Sequence, residues 1–151
     1  MARLRRPTVA ELQVALRAAV SAGLSIVVAD ALGLKDSYWA AMSAVVATGP
    51  TVGASLGAAL TRIAATVAGL LVGLAAFAVA GDGTLVAAVA VFAALLVLPA
   101  VSLEAGVRLG AATTLIVTAI PGDAFVDALE RGANVPLGCA LAVAVGLLLW
   151  P

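Results

Sequence analysis

Residues 38–69 read YWAAMSAVVATGPTVGASLGAALTRIAATVAG and contain two apolar runs separated by a Gly-Pro pair. Small and hydroxylated residues follow the proline, and an arginine then stands among alanines. Because proline interrupts the hydrogen-bond pattern of a helix, the stretch predicts a short helix, a break at Gly49 and Pro50, and a long helix that begins near Ser55. Arg62 lies inside that long helix, which raises the question of what its charge is for.

The composition of the whole chain is that of a membrane protein. Of its 151 residues, 64% are apolar and 11% are charged, and the mean hydropathy is +1.22. So few polar residues cannot cover the surface of a soluble domain. A net charge of zero and 4% aromatic residues argue against nucleic-acid binding. The chain has no histidine, and its one cysteine, Cys139, is read as a packing residue, so no enzyme activity, metal or cofactor is predicted.

Polar residues divide the sequence into apolar stretches, each a predicted helix: 12–34, 37–49, 56–80, 84–101, 104–120 and 127–150. We predict an all-α membrane protein of six transmembrane helices in one domain, residues 1–151, with residues 1–10 as a cytoplasmic N-terminus. The second and fifth stretches, which stop at Pro50 and Pro121, are shorter than the roughly 20 residues that span a bilayer. The first stretch is long enough to span, which favours a helix over a signal peptide.

An internal repeat predicts the arrangement of these helices. Residues 59–69, ALTRIAATVAG, align without gaps on residues 128–138, ALERGANVPLG, with Ala, Leu, Arg, Ala and Gly at equivalent positions. Each copy follows a short helix that ends at proline. Because three helices per copy is an odd number, the second copy lies inverted in the membrane. The sequence therefore predicts a 3+3 inverted repeat, residues 11–80 and 84–151.

Positive residues predict that both termini are cytoplasmic. With the N-terminus inside, six basic residues lie toward the inner side: Arg3, Arg5, Arg6, Arg17, Arg62 and Arg108. Only Lys35 and Arg131 lie toward the outside, so the distribution follows the positive-inside rule. Helices this rich in alanine and glycine enclose little space, and we expect a homo-oligomer, with a dimer favoured.

Arg62 is the main candidate for substrate binding. Thr66, Gly69 and Gly73 follow it at helical spacing on one face. A charge inside a membrane helix is costly unless it faces protein, water or a counterion. The functional interpretation is that the guanidinium binds a carboxylate; the structural alternative is that Arg62 extends to lipid headgroups or forms a salt bridge.

Further candidates for substrate binding come from the repeat and from the first two helices. Arg131 is the repeat equivalent of Arg62, and Asn134 lies one turn after it. Arg17 begins a polar line with Ser21 and Ser25, although serines in membrane helices often bond only to their own backbone. Trp39 either belongs to the interfacial aromatic belt or lines the outer mouth.

Two pairs of charges are candidates for gates. The inverted repeat predicts that Asp36 lies near Arg131 and that Glu104 lies near Arg62, and breaking such ion pairs suits alternating access. In the alternative interpretation Glu104 pairs with Arg108 one turn along its own helix, and Asp36 is solvated.

The stretches YWAAMSAVVATGPTVGASLGAALTRIAATVAGLLVG and ERGANVPLGCALAVAVGLLLWP resemble the membrane domain of the fusaric-acid-resistance and aromatic-acid-exporter family. The resemblance implies a bacterial inner-membrane protein that exports aromatic carboxylic acids, with a six-helix domain similar to that of the dimeric plant malate channels. The family's usual cytoplasmic domain has no counterpart in these 151 residues. We predict efflux of small organic anions; the alternatives are a passive anion channel and a membrane anchor that only drives oligomerisation.

Overall fold

The computed structural model describes residues 7–119 and 124–149. Within these residues the chain forms six α-helices and one 3₁₀ turn, Glu104–Gly106, which precedes the fifth helix. The helices are α1 Val9–Ala31, α2 Tyr38–Ala47, α3 Val52–Ala80, α4 Thr84–Ala100, α5 Val107–Ala119 and α6 Ala124–Leu149. The predicted all-helical fold with six helices is confirmed for this part of the chain.

Helix lengths also agree with the prediction. α1, α3 and the segment Ala128–Leu149 of α6 are long and apolar enough to cross a membrane. α2 has 10 residues and α5 has 13, so each covers only about half of a hydrocarbon core at 1.5 Å per residue. The second and fifth helices are therefore short, as the sequence predicts.

A side chain at the start of α3 accepts a backbone hydrogen bond from the break between α2 and α3. α2 ends at Ala47 and α3 begins at Val52, three residues before the predicted start at Ser55. The backbone N–H of Gly49 donates to Ser55 Oγ at 2.9 Å. A Cβ at Gly49 would lie 2.9 Å from the Ala54 Cβ, so only glycine fits at this position. The corresponding break predicted at Pro121 lies outside the described residues.

We expect Ser55→Ala to lower the free energy of unfolding by about 1 kcal/mol, because the Gly49 N–H then loses its acceptor at a site that little water reaches. Thermal unfolding in detergent measures the change. Ser37→Ala is the matched control, since the Ser37 side chain makes no cap hydrogen bond at the start of α2. Equal melting temperatures for the two variants would show that the Ser55 hydroxyl does not hold the break.

α3 and α6 run antiparallel through the middle of the bundle. A Cβ added at Gly146 would lie 4.0 Å from Val52 Cγ2, and one at Gly132 would lie 3.9 Å from Leu70 Cδ1. The start of α3 therefore lies beside the end of α6, and Thr66 of α3 lies at about the same height in the bundle as Val135 of α6. Arg62 lies on one side of this height, and Arg131 lies on the other.

Each short helix packs closely on the long helix of the other predicted repeat. A Cβ at Gly69 in α3 would overlap the backbone carbonyl of Gly110 in α5, and one at Gly138 in α6 would overlap the carbonyl oxygen of Ala40 in α2. Aligned positions of the two long helices are buried in pairs: 59 and 128, 62 and 131, 65 and 134, 66 and 135, 69 and 138, 73 and 142. A repeat predicts this agreement; the inverted symmetry itself stays a prediction.

The connections α1–α2 and α4–α5 lie beside the middle of the long helices, not at their ends. The α1–α2 tip, residues 32–37, contacts α6 at Asn134, which is ten residues or about 15 Å from the start of that helix. The α4–α5 tip, residues 101–106, contacts α3 at Ala65, thirteen residues or about 20 Å from its start. Polar loops thus reach the middle of the bundle from opposite directions.

Candidate functional site

Arg62 is held inside the bundle by helical spacing on α3. The side chain is only 4% exposed, and Thr66, one turn further along the same face, is 2% exposed. Among the residues that the structure describes, neither Arg62 Nε nor Thr66 Oγ1 has a hydrogen-bond partner. Cys139 of α6 lies close enough to interact electrostatically with Arg62, and it packs in the core cluster as predicted for a packing residue.

The charge of Arg62 lacks a counterion in the described part of the chain. No aspartate or glutamate whose side chain the structure describes is buried, and Arg62 forms no ion pair with these residues. A buried, unpaired charge costs several kcal/mol. The structural alternatives are a poor match, because a 4% exposed side chain does not extend to headgroups and no carboxylate of the described residues pairs with it. The opposite charge or the solvation must come from outside the described residues.

Arg131 lies at the equivalent position of α6 and meets an aromatic ring. Its Cζ lies 3.5 Å from the centroid of the Trp39 ring, in the geometry of a cation–π contact. Trp39 in turn lies 5.1 Å from the ring of Tyr38, measured between centroids. Arg131 is 6% exposed, so the contact lies largely out of water. The structure therefore brings together two residues that the sequence proposes separately.

Asn134 links the α1–α2 tip to α6. Its Nδ2 donates to the backbone carbonyls of Lys35 at 2.9 Å and of Glu130 at 3.0 Å. Lys35 Nζ lies 3.6 Å from Glu130 Oε1, which closes a salt bridge across the same contact. Asn134 Oδ1 is buried and accepts no hydrogen bond from the described residues. The sequence does not single out Lys35 or Glu130 for this role.

The two predicted gate pairs are not formed. Within the described ranges, neither Asp36 nor Glu104 makes an ion pair, so the pairs with Arg131 and Arg62 and the alternative pair of Glu104 with Arg108 are all absent. Asp36 has a φ of 54° and is exposed at the turn before α2. Glu104 and Arg108 are exposed, whereas Arg62 is buried, which separates the acid from the base. The tips nevertheless lie beside the helices that the prediction names.

Arg17 is a third buried arginine, on α1, with 6% of its surface exposed. The hydroxyl of Ser21 donates to the Arg17 carbonyl at 2.7 Å, and that of Ser25 donates to the Ser21 carbonyl at 2.7 Å. The hydroxyls of Ser21 and Ser25 thus bond to the backbone of their own helix, as serines in membrane helices often do. Ser21 Oγ also lies 3.4 Å from Thr48 Oγ1, so this polar line reaches the break between α2 and α3.

We expect Asn134→Ala to loosen the α1–α2 tip, because the backbone carbonyl of Lys35 in the tip loses its donor. Trypsin cleavage after Lys35, followed by mass spectrometry, should become several times faster than in the wild type. Thr118→Ala is the control, because it removes a buried hydroxyl that bonds only within α5. Equal cleavage rates in both variants would mean that Asn134 does not hold the tip.

Two apolar grooves are lined by described residues. One of about 570 Å³ lies between α3 and α4, from Val72 to Ala93, and one of about 380 Å³ lies between α3 and α6, beside Gly132. Neither groove is lined by Arg62. They are apolar faces of the bundle, and their lining residues do not include the buried arginines.

Comparison with protein families identifies the family of the chain. A family model described as fusaric acid resistance protein-like matches residues 24–145. The chain belongs to the fusaric acid resistance protein-like family. The family's region includes Trp39, Arg62, Arg131 and Asn134, while Arg17 lies before it. Membership in this family indicates a membrane protein of the transport and resistance type. Searches among curated proteins and among solved structures find no match.

Proposed function

We propose that the chain exports small organic anions, with aromatic carboxylates as the main class, across the bacterial inner membrane. The burial of Arg62 without a counterion among the described residues carries this proposal. A carboxylate supplies both the opposite charge and the acceptors that a forked guanidinium needs. The Thr66 hydroxyl, one turn away and also without a partner among the described residues, adds a second polar group to the same face.

A route to Arg62 follows from the two hairpin tips. Irregular polar backbone at the level of the middle of a spanning helix must be buried in protein or wetted by a cavity. The side chain of Lys35 in the α1–α2 tip is 75% exposed, so this tip requires water. Water that reaches it forms a recess from that side, with Arg131 and Asn134 at its base. The inverted repeat provides for a second recess, from the other side, beside Arg62.

The direction of transport follows from the orientation that the basic residues predict. With both termini in the cytoplasm, Arg62 lies nearer the inner side, and the α1–α2 tip faces outward. An anion therefore passes Arg62 before Arg131 on its way out. We further propose that two copies of the chain assemble around this route, because the described bundle leaves no wide channel of its own around Arg62.

Transport of an anion by the purified chain in liposomes tests the proposed function. Phthalate at alkaline pH is a suitable probe, because it stays ionised and leaks slowly through lipid. Liposomes that contain the chain should lose trapped phthalate faster than protein-free liposomes. Loss that responds to a pH gradient indicates a coupled exporter, and loss that depends on the phthalate gradient alone indicates a passive channel. A stable oligomer that moves no phthalate would leave the membrane-anchor interpretation.

A further inference from the structure

We infer that the α1–α2 tip is the gate of the anion route, and that the route is closed on this side in the structure. The inference rests on the proposed function and concerns how the same site is regulated. The gate cluster consists of the residues that hold the tip and the start of α2 against α6: Lys35, Trp39, Glu130, Arg131 and Asn134. The contacts of Lys35 with Glu130 and Asn134, and that of Trp39 with Arg131, join one hairpin to one helix.

The two hairpin tips are held in different ways. The α4–α5 tip packs through Gly106, where an added Cβ would lie 2.6 Å from the Ala65 Cβ and 3.3 Å from Thr61 Cγ2. Its acid, Glu104, is exposed and forms no ion pair in the described ranges. Close packing of small groups is lost completely when helices separate, whereas polar contacts exchange for water. The α1–α2 tip, residues 32–37, is held by polar contacts, while α2 stays packed on α6 where Ala40 meets Gly138, so the tip is the part that opens.

An anion has a reason to open this gate. Trp39 covers the guanidinium of Arg131 at 3.5 Å, and Arg131 is the repeat equivalent of Arg62. A carboxylate offers Arg131 charge-assisted hydrogen bonds, which are stronger than a cation–π contact. The Lys35–Glu130 salt bridge is exposed on the lysine side, so water and ions screen it and it opposes opening only weakly. An anion that arrives from Arg62 thus displaces Trp39 and releases the tip.

A reversible cross-link tests whether the tip must move. The variant carries Lys35→Cys, Glu130→Cys and Cys139→Ser, and a bifunctional methanethiosulfonate reagent bridges the two new thiols. We expect cross-linked protein to release trapped phthalate no faster than protein-free liposomes, and dithiothreitol to restore release. Phthalate should still raise the melting temperature of the cross-linked protein, since Arg62 is untouched. In the control variant, Lys35→Cys with Cys139→Ser, the same reagent forms no bridge within the chain, so release should be the same before and after the reagent is added.

A second variant weakens the gate by substitution alone, without a cross-linking reagent. Trp39→Leu removes the cation–π contact, and we expect phthalate release to become about three- to thirtyfold faster, the range that such a contact supports. A merely structural Trp39 would instead lower release and melting temperature together. Undiminished release from cross-linked protein would overturn the gate while leaving the proposed function intact. A wild-type chain that releases no phthalate would overturn the proposed function, and the gate with it.

Discussion

Arg62→Gln is expected to abolish phthalate release from liposomes that contain the purified chain. Glutamine keeps much of the length of the side chain and removes its charge and its fork of donors. Charge-assisted hydrogen bonds contribute about 1.5–3 kcal/mol, and each 1.4 kcal/mol is about tenfold in affinity, so phthalate should bind about ten- to a hundredfold more weakly. Phthalate flux and phthalate binding are measured on the same preparation. Binding is measured as the rise in melting temperature with added phthalate.

The sign of the stability change separates a binding role from a structural one. Arg62 is 4% exposed and forms no ion pair with described residues, so in the absence of an anion its charge destabilises the fold. Arg62→Gln should therefore melt at the same or a higher temperature than the wild type, while phthalate no longer stabilises it. A structural salt bridge predicts the opposite, because removal of one partner leaves a buried charge unpaired.

Arg108→Gln is the matched control for this experiment. It removes the same charge from α5, where the arginine is exposed and outside every ion pair of the described residues. Release and phthalate stabilisation should stay near wild-type values, which excludes a general effect of net charge. If Arg62→Gln lowers the melting temperature and still releases phthalate, Arg62 only holds helices together, and the anion-transport proposal loses its main support.

The position of Arg62 and Thr66 was accessible from the sequence because it depends on local rules. The period of an α-helix puts residues four apart on one face, and a charge in an apolar helix avoids lipid. The break at Gly49 and Pro50 likewise follows from the chemistry of two residues. These features need no knowledge of how one helix packs on another. The contact of Trp39 with Arg131 does, since it depends on the approach of α2 to α6.

Charge pairing shows where this reasoning fails. The prediction pairs Asp36 with Arg131, and the structure pairs Lys35 with Glu130, so each partner is displaced by one residue and the charges are reversed. The repeat identifies the two segments that meet, but the choice of partners depends on the backbone of the tip, where Asp36 adopts a φ of 54°. A single turn residue decides which side chain faces α6, and no periodic pattern predicts it.

Glycine spacing in the sequence also fails to predict which residues contact a neighbouring helix. Glycines four residues apart often allow membrane helices to pack closely, and the chain has such pairs, among them Gly53 with Gly57 and Gly106 with Gly110. In the structure a Cβ added at Gly53 or Gly57 would meet no atom within 4 Å, whereas Gly106 and Gly110 are tightly packed. Gly138, which has no glycine partner four residues away, faces another backbone directly. The position of the neighbouring helix determines which glycines are tightly packed.

Gly138→Ala is expected to destabilise the chain strongly for the addition of a single methyl group. The new Cβ would overlap the Ala40 carbonyl oxygen and lie 3.0 Å from the Ala44 backbone nitrogen. Both are backbone atoms of α2, so relief requires the whole helix to move away from α6. Overpacking a core costs about 1–3 kcal/mol when side chains adapt, and we expect about 3 kcal/mol or more here. Melting temperature in detergent and folded yield measure the loss.

Gly57→Ala and Gly69→Ala complete the test of this packing. Gly57 lies within α3 with no atom within 4 Å of an added Cβ, so alanine should be neutral or stabilise the helix by up to about 1 kcal/mol. Gly69 is the repeat equivalent of Gly138, and its added Cβ would overlap the Gly110 carbonyl of α5. If the two halves of the chain carry equivalent crossings, Gly69→Ala and Gly138→Ala should lower the melting temperature by similar amounts. If Gly138→Ala and Gly57→Ala have the same melting temperature, α2 does not approach α6 this closely.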